Sequence, residues 1–296
     1  MSHPFTPEPE NSRRDETAPF QSAALDAEGL APAAHSSPGQ PHPLPGAPTL
    51  VIREGAYLIR FAQNEKDLSA ALRLRYEVFN LELGEGLEQS HASGRDEDTF
   101  DAGCHHLIVE HEPTGQIIGT YRMQTQEMAE ANGGFYSDGE FDLSGFPHAV
   151  LKQSVELGRA CVAQEHRRQR VLFGLWKGLA AYVTFMNKRY LFGCCSLTSQ
   201  DPQQGRMVLE KLRLDGLIHP DYIVKPRPDM LCEDSNSPIA DPSSVKLPTL
   251  FGTYLRFGAL VCSPPAIDRE FKTIDYLVLM DSATLPARTR ATFFGD

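Results

Sequence analysis

The sequence predicts an α/β chain of the α+β type, with a mixed, twisted central sheet flanked by helices and a disordered N-terminal tail. Three observations carry this. Residues 154–188 change period in the middle: Val155, Leu157, Cys161 and Val162 form a short apolar run with β-branched members, whereas Leu172, Leu175, Leu179, Val183 and Met186 recur at steps of three and four. A second apolar run, residues 190–197, follows that helix, and strand–helix–strand order is the mark of parallel pairing in an open sheet. Upstream, residues 105–110 and 116–125 alternate as strands around the turn residues EPTG, which makes an antiparallel hairpin.

Taken in order, residues 1–48 hold ten of the 22 prolines and no sustained apolar period, so they cannot bury enough surface to offset chain entropy. Residues 57–61 read as the first strand. Residues 65–83 read as a helix with Leu68, Ala71, Leu72, Tyr76, Phe79 and Leu83 on one stripe, and Arg75 falls on the same stripe. A guanidinium there either pairs with a structural carboxylate or serves a substrate. Residues 82–101 form an acidic loop, with seven carboxylates against Arg95, suited to solvent or to a cationic group. A short helix is expected near 127–131, and NGGFYSDGE beyond it must turn. After the 190–197 strand come a helix at 203–212, a proline-rich surface excursion at 215–248, a helix at 248–259, a short strand at 260–262 and a last strand at 275–280.

The chain has 296 residues, 41% of them hydrophobic and 23% charged, enough for one large core over residues 49–296. A net charge of −11 excludes a general nucleic-acid binder, which needs basic charge across a face. Six cysteines without CxxC spacing read as reduced core thiols, and no stretch has the length and apolarity of a membrane span or secretory signal. The expected location is the cytoplasm, with peripheral contact at the inner membrane as an option. Against the acidic background, residues 165–189 carry six Lys or Arg and only Glu165. Arg167, Arg168 and Arg170 lie between strand and helix, where free backbone N–H groups and the helix dipole favour an anion. Ten histidines make no HExxH-like cluster, and His105-His106 on a strand reads as one surface and one core residue, so no metal is expected.

Four short motifs in order then become significant: Arg75-Tyr-Glu-Val-Phe79, Asp98-Thr-Phe-Asp101, Gly119-Thr-Tyr-Arg122 and Glu156-Leu-Gly-Arg159. They resemble the motif set of acyl-homoserine-lactone synthases, which share the GNAT (Gcn5-related N-acyltransferase) fold. With FKTID at 271–275, they look more like bacterial ornithine-lipid N-acyltransferases and related N-acyl amino acid synthases. No Trp stands in residues 82–94, where the homoserine-lactone synthases carry one against adenosylmethionine.

The resemblance implies an enzyme that moves a (3-hydroxy)fatty acyl group from acyl carrier protein to the α-amine of an amino acid, ornithine first, in aminolipid synthesis. The alternatives are a signal synthase of the homoserine-lactone or N-acyl amino acid type, and a non-catalytic module that binds acylated carrier or membrane. It implies no tightly bound cofactor, and acyl-phosphopantetheine as co-substrate on the carrier or on coenzyme A. The coenzyme A loop pattern RxxGxG would place glycines at Arg170 and Leu172, so the arginine-filled loop favours the carrier protein, with Arg167, Arg168 and Arg170 as its contact. Glu156 becomes the candidate base, and Arg75, Phe79, Asp98, Asp101, Arg122 and Arg159 the candidate substrate-binding residues. Unless Gly158 makes a bulge, strand alternation sends Glu156 and Arg159 to opposite faces. Phe173, Trp176 and Phe185 beside Lys177 and Lys188 offer an alternative use of the helix, resting on an anionic membrane.

Overall fold

A computed structural model describes residues 45–232 and 241–295. Among them a nine-stranded sheet runs in the order β1 (Val51–Glu54), β2 (Tyr57–Phe61), β3 (His105–His111), β4 (Gln116–Thr125), β6 (Ser154–Val162), β7 (Tyr190–Leu197), β11 (Thr273–Asp281) and β10 (Ala266–Asp268), with β9 (Leu260–Val261) also paired to β11. The helices are α1 (Glu65–Tyr76), α2 (Ser90–Ser93), α3 (Gln126–Ala131), α4 (His148–Lys152), α5 (Gln169–Phe185), α6 (Pro202–Leu214), α7 (Thr249–Arg256) and α8 (Ala287–Phe293). A separate two-stranded ribbon joins β5 (Phe141–Asp142) to β8 (Lys225–Pro226).

The period change at residues 154–188 resolves as expected into β6, a basic loop and α5. The apolar stripe of α5 buries Val171, Leu175, Leu179 and Val183 against β1, β2 and β3. Gly174 and Gly178 let the helix come this close: a Cβ there would stand 2.6 Å from Ile59 and 2.7 Å from Leu107. On the other side of the sheet, α1 packs against β3, β4 and β6. Its N-terminus is capped by Asn64, whose side chain accepts from the Asp67 N–H.

The sheet opens at one seam. β6 and β7 pair in parallel at Ser154–Tyr190, Val155–Leu191 and Glu156–Phe192, and then continue without pairing to each other. A bulge sits just past the parting. Arg122 faces Gly158 and Thr120 faces Cys161, so Arg159 and Ala160 together stand opposite Tyr121. Arg159 takes a left-handed φ of +46°. For a residue with a Cβ this costs roughly 1–2 kcal/mol, so its side-chain contacts must hold it there.

Several expectations change. The helix over 65–83 becomes π-helical over Glu77–Glu82 after α1. The excursion over 215–248 is partly stitched into the body: β8 pairs with β5, Val224 is buried and Leu231 bridges to Ala266. Residues 233–240 of it lie outside the described residues. Of the expected tail, residues 1–44 lie outside the described residues, while 45–48 lie against the body, with Pro48 buried and the Pro45 carbonyl 3.2 Å from His105 Nε2. His105 and His106 are both buried, so neither is a surface residue. β1, β10 and α4 are too short to leave a periodic signal.

Candidate active site

Three arginines and three aspartates form a closed ionic cluster under the sheet seam. Arg75 Nη1 and Nη2 donate to the two carboxylate oxygens of Asp101 at 2.6 and 3.1 Å, and its Nε reaches Asp96 at 3.3 Å. Arg122 Nη1 donates to Asp98 at 2.6 Å and to Asp101 at 3.2 Å. Arg159 Nη2 donates to Asp98 at 3.1 Å, and its Nε lies 3.5 Å from Asp96. Burial alone would raise the acids' pKa values, but the guanidiniums of Arg75 and Arg122 hold Asp101 far below the carboxylate range, and those of Arg122 and Arg159 hold Asp98 below it.

This changes the roles of the acidic loop and of Arg75. Asp96, Asp98 and Asp101 are taken by internal arginines, so they are not open to a substrate cation. Arg75 is fully buried and spends its donors on Asp96 and Asp101, which is the structural member of the pair of readings. Arg75 and Arg122 share Asp101, and Arg122 and Arg159 share Asp98.

Beside this cluster lies a cavity of about 990 Å³, lined by residues of β6 and β7 beyond their last shared pair. Phe79, Arg122, Glu156 and Arg159 line it; Arg75, Asp98 and Asp101 do not. Glu156 and Arg159 both meet one residue, Tyr136, the first at its backbone and the second at its ring. The Arg159 guanidinium carbon stands 4.7 Å from the Tyr136 ring centroid and 4.4 Å from that of Phe271, with Arg122 at 5.3 Å from Tyr136. The carboxylate of Glu156 accepts from the backbone N–H groups of Tyr136 and Ser137 at 3.0 and 2.7 Å. Burial raises its pKa, opposed by those two N–H groups and the Ser137 hydroxyl. Among the described residues Glu156 forms no ion pair, although the nearby Arg122 guanidinium also opposes the rise. Five buried polar atoms of cavity-wall residues have no hydrogen-bond partner among the described residues: the donors Arg122 Nη2, Arg159 Nε and Trp176 Nε1, and the acceptors Gln124 Oε1 and Glu140 Oε2.

The cavity has two chemically distinct ends. One is apolar and aromatic, built by Leu172, Trp176, Phe251, Phe257 and Phe293. The other holds Glu85, from the acidic loop that the sequence offered to a cationic group, with Glu140 and Asp275, which sequence reasoning did not single out. Asp275 closes the FKTID motif, a signal that could have found it, whereas Glu140 sits in a turn with no periodicity. Burial raises all three. Asp268 and Glu85 nearby add to the effect on Asp275, pushed up to about 6, and Asp275 and Asp268 add to it on Glu140.

The basic loop is less basic in space than in sequence. Arg167 donates to both oxygens of Glu82 at 2.5 and 2.6 Å; Lys177, Lys188 and Arg189 pair with Glu54, Glu127 and Asp281. Arg168 and Arg170 remain exposed without an ion pair among the described residues. Arg167 and Arg168 border the cavity, while Arg170 lies against Gly55 at the β1–β2 turn. Trp176 is buried against Tyr254, Phe257 and Phe293, Phe173 meets Phe293, and Phe185 alone is exposed. No helix among the described residues is long and apolar enough to cross a membrane.

The model of the acetyltransferase (GNAT) domain matches residues 74–177, from the last turn of α1 to mid-α5. An L-ornithine N(α)-acyltransferase of Agrobacterium fabrum is 32% identical over 255 residues, covering 82% of this chain and 87% of the relative. One from Brucella abortus is 32% identical over 263 residues, covering 82% and 90%. Among solved structures, FeeM, an N-acyl amino acid synthase from uncultured soil microbes, aligns over 80% of this chain and 98% of its own, with 10% identity and a TM-score of 0.47.

Proposed function

Because the chain belongs to the GNAT-fold family of bacterial L-ornithine N(α)-acyltransferases, an enzyme family acting on an amino acid amine, we propose that it acylates the α-amine of ornithine with a long, 3-hydroxylated acyl chain carried by acyl carrier protein. The observation that carries this reading is the two-ended cavity. A fatty acyl thioester has an apolar chain that fits the aromatic end, and an amino acid has charged groups that fit the carboxylate and arginine end. The parted edges of β6 and β7 lie between the two.

The thioester is already activated, so the protein has three tasks: hold a neutral amine beside it, accept a proton and stabilise the oxyanion. Glu156 is the base of this proposal. It lies at the parting, and its raised pKa brings its proton affinity closer to that of a neutral-pH acceptor. The unpartnered Arg122 Nη2 is placed to receive the substrate's α-carboxylate, with Asp98 and Asp101 fixing the guanidinium through its other nitrogen. Arg159 and Phe79 close the amine side, and Arg75 and Asp101 act beneath as supports. The carrier docks at the α5 N-terminus, where Arg168 is exposed beside the cavity mouth.

Purified protein incubated with acylated carrier protein and a panel of free amino acids, read by mass spectrometry, tests this. The expected product is Nα-acylornithine. Acylation of glycine, serine or tyrosine with ornithine untouched would remove ornithine, and acylation from coenzyme A alone would remove the carrier.

A further inference from the structure

Three buried carboxylates, Glu140, Asp268 and Asp275, bring one oxygen each to within 4.8 Å of one another. Glu140 and Asp275 form part of the cavity wall and Asp268 stands behind them. Each acid beneath the seam has an arginine, yet among the described residues no Lys or Arg forms an ion pair with any of these three. Their neutral partners are known in detail. Asp268 accepts from the Glu270 and Phe271 N–H groups at 2.8 Å, and Tyr136 O–H stands 3.5 Å away. Asp275 accepts from the Ser196 and Thr273 hydroxyls. Glu140 is 3% exposed; the Cys194 thiol stands near its carboxyl, and its Oε2 has no hydrogen-bond partner among the described residues. A buried acceptor in that state, on a cavity wall, marks a place where a donor belongs.

We propose that Glu140, Asp275 and Asp268 form the subsite for the side-chain ammonium of the amino-acid substrate, and so select a cationic amino acid over a neutral one. This deepens the ornithine reading and rests on it. The geometry suits an ammonium: three tetrahedral N–H bonds of about 2.8 Å place their acceptors roughly 4.6 Å apart. The arrangement also divides the substrate's charges between two cavity features, with the unpartnered Arg122 donor for the α-carboxylate and the unpartnered Glu140 acceptor for the side chain. Burial and the neighbouring carboxylates raise the pKa values of Glu140 and Asp275, and an ammonium among them would favour their charged forms.

Norvaline has ornithine's carbon skeleton without the terminal amine, and comparing kcat/KM for the two with acylated carrier protein tests the proposal. Wild-type protein is expected to prefer ornithine by about 100-fold or more, because neutral norvaline leaves the buried acceptors unpaired. In Glu140→Gln and Asp275→Asn, each nearly isosteric, the ornithine-to-norvaline ratio is expected to fall by about tenfold or more, mainly through a higher KM for ornithine. Wild-type protein that uses both amino acids equally would overturn the subsite while leaving the acyltransferase reading in place, and needs no variant. An unchanged ratio in both variants would also overturn it. So would wild-type activity that a chelator abolishes and a divalent cation restores, since the cluster would then hold metal. If neither amino acid were acylated, the ornithine reading itself would fail and take the subsite with it.

Discussion

Glu156 and Asp275 are both buried carboxylates without an ion pair among the described residues, and their surroundings assign them different tests. In Glu156→Gln the side chain keeps one acceptor for the Tyr136 or Ser137 N–H but loses its ability to take a proton. Turnover is expected to fall by about 100-fold or more with little change in KM for the acyl donor, measured by steady-state kinetics. Asp275 is read through stability. Its folded pKa of about 6 lies above the ordinary 3.8, so the native state binds the extra proton. Below the ordinary value the side chain is protonated in both states and has no effect. Between the ordinary value and about 6 the unfolded chain has ionised while the native state keeps its proton, so stability is lost across that window and the loss is complete above about 6. Asp275→Asn removes that loss, so its thermal midpoint relative to wild type is expected to climb between about pH 4 and pH 6 and then level off, by up to about 3 kcal/mol in stability. At this scale the sequence named the right residues where a motif carried them. It could not say that Arg75 is sealed off from the cavity, because a guanidinium on an apolar stripe looks the same whether its partner is Asp101 or a substrate.

At the scale of elements, period is local and was legible, whereas pairing is not. The β3–β4 hairpin, β6, α5, β7 and β11 all follow from alternation or from steps of three and four within one segment. The bulge at Arg159 and Ala160 arises from a length mismatch between β4 and β6, strands separated by residues 126–153. No pattern within ELGR contains it, beyond the glycine that raised the possibility. The α5 basic loop shows the same limit for charge. Its excess is real along the chain, but Glu54, Glu82, Glu127 and Asp281 fold back onto it from four other segments. What remains is narrower, and the docking prediction narrows with it from Arg167, Arg168 and Arg170 to Arg168 and Arg170. Reversing both to Glu is expected to raise KM for acylated carrier protein severalfold or more and to flatten its dependence on salt, with kcat at saturating carrier little changed. Unchanged KM and salt dependence would place the carrier elsewhere.

For the whole molecule, β1 to β4 and β6 form one antiparallel block, while β7, β9, β10 and β11 form another. Across β6 and β7 the sheet is joined by three residue pairs, and the cavity occupies the space that further pairing would have closed. Ligand room is thus obtained by leaving a ladder unfinished, and that choice has a mechanical side. A sheet fails first where fewest hydrogen bonds cross, and here the weak line runs between two blocks that each keep their own ladders. Native-state amide exchange is expected to show two cooperative blocks that open at different free energies, with β2, β3 and β4 exchanging together and β7 and β11 exchanging together. A single exchange threshold for every strand would mean that α5, which spans the crossover, welds the halves into one. An acyl donor lying in the gap would supply the missing rungs, so its binding is expected to draw the two thresholds together.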